Sequence, residues 1–122
     1  MTPKDTYAIL AGIASELRAV PAWKIPAKSR NMESVAARRF IAAYMVEKLG
    51  YSCAFVGPFI NRDRTSVHHM IRKHNDYMLT DKHYTRHVRL FTDMADAALG
   101  IKPLVILQNA TAGKDLQGLQ PA

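Results

Sequence analysis

Cysteine is almost missing from this chain. Cys53 stands alone, so no disulfide can close within it, and the expected setting is a reducing, intracellular one. The first residues, MTPKDTYAIL, have no basic segment leading into a long apolar run, so no export signal is expected. No stretch approaches the ~18 apolar residues of a membrane helix. The longest candidate is interrupted by Lys102 and Pro103. Carboxylates are few as well: residues 23–75 hold only Glu33, Glu47 and Asp63. That scattering argues against a nuclease, which needs clustered acids to hold metal ions at a phosphate. There is no HExxH and no cysteine pair. His83 and His87 have a feasible ligand spacing on one helix, but histidines on a basic helix are more often surface or phosphate-facing groups. No metal, no cofactor and no enzymatic activity are expected. The few aromatics sit at packing positions, which leaves no evident stacking platform for RNA.

What is abundant is positive charge, and it is localised. The formal net charge is +7, and residues 23–75 account for all of it, with ten Lys/Arg against three acids. The flanking segments balance. A concentrated basic segment is the footprint of phosphate contact, or else a solvated face with no partner.

Apolar periodicity predicts a helix from Pro3 to about Ala19, another from about Met32 to Leu49 stopped by Gly50, and a further one from His83 to about Leu99. Between the first two lies AVPAWKIPAKSRN, broken by Pro21 and Pro26. Trp23 and Ile25 are expected to tack it to the core, with ligand stacking by Trp23 as the alternative. Lys28 and Arg30 lie on this mobile arm, placed either for a phosphate or minor groove or simply for solvent. LVIL at 104–107 reads as a short strand or a last packing segment, and 111–122 as a disordered tail. The expectation is an all-α fold, a single helical domain over 1–110 with extra N- and C-terminal helices.

The stretch from Ser52 to Asn75 supplies the motif. Ser52 caps a short apolar helix, Pro58, Ile60 and Asn61 crowd a tight turn, and Asp63 caps a second helix from about Arg64 to Met78. This outline is a helix-turn-helix, whose second helix enters the major groove. Val67, Ile71, His74 and Met78 face inward; Arg64, Thr65, His68 and Arg72 share another face. Arg64 sits where a helix macrodipole disfavours a cation, so it reads as aimed at an external anion or guanine edge, or as a solvent-facing residue offset by Asp63.

Residues 34–79 resemble the C-terminal DNA-binding domain of DnaA, the bacterial replication initiator. Its signature pieces appear as AARRFIAAYM (36–45), VG (56–57), NRDRTSVHHM (61–70) and IRKH (71–74). The resemblance implies a helical domain, with its DnaA-like core over 30–79, recognising a duplex element like a DnaA box. It assigns base reading to Asp63, Arg64 and Thr65, with Ser66 following and His68 in place of an apolar contact. It assigns Lys73 and Arg39 to the phosphate backbone and makes Arg30 the nearest candidate for the minor groove. Lys28, Arg38, Arg62, His69 and Arg72 complete the expected backbone set.

Besides His68, the chain departs from the family in three ways. Arg64 replaces a base-reading His, Asn61 replaces two glycines in a turn one residue shorter, and no GxxxxGK[ST] phosphate loop occurs. The preferred site is therefore expected to differ, and ATP-driven origin melting is not expected of this chain. The expected function is sequence-specific double-stranded DNA binding that regulates replication or transcription, by a cytoplasmic, nucleoid-associated protein of phage or prophage type. The alternative is a protein–protein adaptor docking through its terminal helices with only non-specific DNA affinity.

Overall fold

Thr2 and Asp5 start the first helix by capping each other. The Thr2 hydroxyl accepts the Asp5 N–H at 3.2 Å and the Asp5 carboxylate accepts the Thr2 N–H at 3.0 Å. This helix, α1 (Pro3–Arg18), opens the computed structural model, which describes residues 1–101. It ends at Ala19, whose φ of 54° is left-handed, with the N–H of Ala19 returning to the Ser15 carbonyl.

The central element is α2 (Met32–Ala43), started by Asn31, whose side-chain oxygen accepts the N–H groups of Glu33 and Ser34. It packs against α1 on one side and α4 (Arg64–Thr80) on another. Covering two faces explains why burial runs well around the helix: Ala36, Ala37, Phe40, Ile41, Ala42 and Ala43 are all buried. The alanines let neighbouring helices approach, while Phe40 and Ile41 each contribute roughly 1.5–3 kcal/mol by leaving water. Past Ala43 the winding loosens into a π turn, Tyr44–Lys48, with the Leu49 N–H reaching the Tyr44 carbonyl at 3.1 Å. Gly50, at φ +80°, then releases the chain.

The helix α5 (Lys82–Ala98) opens on Asp81, whose carboxylate accepts the Tyr84 N–H at 3.0 Å. Two units divide the chain, Met1–Phe91 and Thr92 onward. In the first, Tyr84 and Phe91 meet the Phe40 ring at 5.5 and 5.6 Å between centroids. In the second, the helix ends at Gly100, φ +74°, with the Ile101 N–H bonded to the Asp96 carbonyl at 2.8 Å. Among the described residues the fold is all-α, with no strand. No helix among them is long and apolar enough to cross a membrane. The segments 104–107 and 111–122 lie outside the described residues.

Two local expectations are corrected. Val20 and Ile25 tack the 20–31 segment to the core, whereas Trp23 is 73% exposed. Nor are all aromatics packed: Phe55 is 44% exposed within a row of rings, tilted against Tyr51 and edge-on to Phe59.

Candidate nucleic-acid interface

The turn before α4 is built by four residues. Ser52 accepts the Phe55 N–H at 3.1 Å and starts α3 (Cys53–Val56), which tightens into a 3-10 turn over Gly57–Ile60. Asn61 follows in the left-handed region at φ 56°. Gly57 is required by a close approach, since a Cβ there would lie 2.3 Å from the Arg62 carbonyl oxygen. Asp63 then accepts the Ser66 N–H at 2.7 Å. Hydrogen bonds from Ser66 hold the Asp63 carboxyl below the usual carboxylate range, with His69 adding a smaller pull.

From that cap, α4 splits its residues between two surfaces. Val67, Ile71 and His74 are buried, and Met78 is half-buried. His74 Nδ1 lies 2.7 Å from the Tyr84 hydroxyl. Burial lowers the His74 pKa and raises that of Tyr84, so both groups stay neutral near pH 7. On the outer side Arg64, Thr65, His68, His69, Arg72 and Lys73 are exposed, and Ser66 is half-buried. Five of these, Arg64, Thr65, His68, His69 and Arg72, join Cys53 around an open cleft of about 590 Å³. His68 Nδ1 is 3.8 Å from the Cys53 sulfur. The cleft offers guanidinium and hydroxyl donors and imidazole nitrogens that either donate or accept, a mixture suited to phosphate oxygens and base edges.

The basic residues expected around this edge divide sharply. Lys28 and Arg30 are exposed on the arm. Arg38 is not available for a backbone contact: it is only 3% exposed, and its guanidinium donates to the carbonyls of Ile25 (2.8 Å), Ala27 (3.0 Å) and Ser29 (2.6 Å). Burial, and secondarily the charges of Arg62 and Arg39, disfavour its ionised form relative to water. Arg62 is half-buried and acts on the same arm, donating to Ala27 at 2.9 Å and Pro26 at 3.3 Å besides the carbonyls of Ile60 and Asn61. The two arginines replace the expected mobile linker by a tethered one. Local N–H groups pair the carbonyls of Pro21, Ala22 and Lys24, and the arginines supply donors to those of Ile25, Pro26, Ala27 and Ser29 further along.

Arg39 is half-buried and lines another cavity, its guanidinium 5.0 Å from the Tyr77 ring centroid. Lys73 approaches that ring at 5.9 Å. His83 and His87 belong to the same cavity as Arg39, and no group of three or more metal-ligating side chains occurs among the described residues. Compared with known proteins, the chain matches no family model and no curated sequence.

Proposed function

We propose that this chain binds double-stranded DNA sequence-specifically, with the first turns of α4 in the major groove. The observation that carries the reading is the exposed edge of Arg64, Thr65, His68, His69 and Arg72 around one cleft, at the start of a helix fixed by a tight turn. A groove-reading helix needs that combination, because a positional error at its N-terminus displaces every base contact. The resemblance of residues 34–79 to the DnaA C-terminal domain supports the same surface. So does the confinement of the net charge to residues 23–75. Within this reading Arg64 and Thr65 contact base edges, aided by Ser66 and His68. Asp63 sets the helix start, and Arg72, Lys73 and His69 take phosphates. Lys28 and Arg30 reach the backbone or minor groove from the arm. Regulation of replication or transcription is the role such binding would serve.

A second reading, a protein–protein module, draws on exposed apolar residues such as Trp23 and Leu79. One experiment separates the two. Selection from a random duplex library, followed by affinity measured across a salt series, should return a shared sequence whose binding weakens steeply as salt rises. Recovery of no preferred sequence, with affinity indifferent to salt, would reject DNA recognition.

A further inference from the structure

A second cavity, of about 450 Å³, opens within the first unit, away from the residues that form the α4 cleft. Its size falls in the range of small-molecule pockets. Four helices contribute to it: Arg18 comes from α1, Val35 and Arg39 from α2, Tyr77 from α4, and Tyr84 and His87 from α5. Its two arginines differ in what surrounds them. The Nε of Arg18 donates to Glu33 at 2.8 Å, and its Nη1 lies 2.9 Å from His87 Nδ1. The guanidinium of Arg39 instead lies over two rings, 5.0 Å from Tyr77 and 5.8 Å from Tyr84, and its Nε is buried without a hydrogen-bond partner.

The Nε is closed to the cavity, so an acceptor there would be met by the outer N–H groups of the Arg39 guanidinium, which forms no ion pair among the described residues. The surrounding charge narrows the kind of acceptor. The one carboxylate on the wall, Asp81, is engaged as the cap of α5, whereas two arginines line the space, Arg18 paired with Glu33 and Arg39 lying against the tyrosine rings. The remaining wall is aromatic and aliphatic. We propose that this pocket binds a small organic oxyanion, a carboxylate or phosphate carried on a flat apolar body, with Arg39 as the anchoring residue. The oxyanion accepts from the outer N–H groups of Arg39 while the apolar body lies against Val35 and the tyrosine rings. This site is separate from the DNA-reading edge and does not rest on it.

The test is an NMR titration of the full chain, following the ring protons of Tyr77 and Tyr84. Phenyl phosphate and benzoate are the probes, with inorganic phosphate as the comparison. At least one aromatic anion should give saturable shifts of both rings at lower concentration than inorganic phosphate. The two probes tell a phosphate preference from a carboxylate one. Arg39→Gln should weaken that binding by about tenfold or more, the scale of a lost charge-assisted contact. Arg39→Lys, which keeps the charge but removes the planar guanidinium fork, should weaken it as well, and Arg64→Ala should leave it unchanged. The proposal is overturned if neither aromatic anion gives saturable shifts in the millimolar range, or if both Arg39 variants bind like the parent. Shifts centred on His68 and Arg72 instead would overturn it too. The parent titration decides the matter even if a variant fails to fold.

Discussion

Arg38 and Arg64 carry the same side chain in the same basic segment, yet they stand in opposite physical situations. Arg38 is buried, and its guanidinium is occupied by three carbonyls of the 25–29 arm. Arg64 is exposed beside an open cleft, at the first position of α4. The histidines of α4 repeat the division, with His74 buried against Tyr84 and His68 exposed six residues earlier. Local charge density therefore overstates the surface available to a polyanion. The cations that matter for a partner are those whose donors no backbone carbonyl already holds.

The contrast can be broken most forcefully at Arg38. Arg38→Ala should lower folding stability by about 3–5 kcal/mol in denaturant unfolding, since it strands buried carbonyls and leaves a void. A loss no larger than that of an exposed arginine would mean the arm does not depend on it. Gly57→Ala comes next, at about 1–3 kcal/mol, because the added methyl must push the Arg62 carbonyl away. Unchanged stability would show that the turn relaxes freely.

Arg64→Ala should do the reverse of Arg38→Ala. Its stability should stay within about 0.5 kcal/mol of the parent, while affinity for the selected duplex falls by about 1–3 kcal/mol and sequence preference relaxes. Equal losses on all duplexes would reduce Arg64 to a phosphate contact. The smallest effect concerns pH. Burial depresses the pKa of His74 in the folded chain below its ordinary value of 6.5. Its neutral form is therefore no handicap above pH 6.5. Below that, the unfolded chain takes up a proton that the folded chain resists, and stability falls with pH. His74→Gln should flatten the decline in unfolding midpoint between about pH 7 and 5; parallel declines in the two proteins would remove His74 as its source.

Much of the local architecture could be read from residue chemistry. Ser52 and Asp63 cap the helices they were expected to cap, and Asn61 adopts the left-handed turn. Val67, Ile71 and His74 follow the inward spacing of α4. These features depend on neighbours within a few positions, where sequence and geometry are directly linked. The position of Arg38 was not legible, because its partners lie 9–13 residues upstream and are main-chain atoms common to every residue. One signal was available: a segment broken by two prolines leaves some carbonyls to outside donors, and the nearest helix carries adjacent arginines. The exposure of Trp23 and the Arg39 cavity depend on how several helices come together, which periodicity along any one of them does not encode.

The tethering of residues 25–29 has a thermodynamic consequence. Fixing a backbone residue costs roughly 1–2 kcal/mol of conformational entropy, and here that cost is met during folding rather than at encounter. A ligand engaged by Lys28 and Arg30 would meet a preset shape, so calorimetry should find a modest heat-capacity change, without the large signature of a strand that folds on contact.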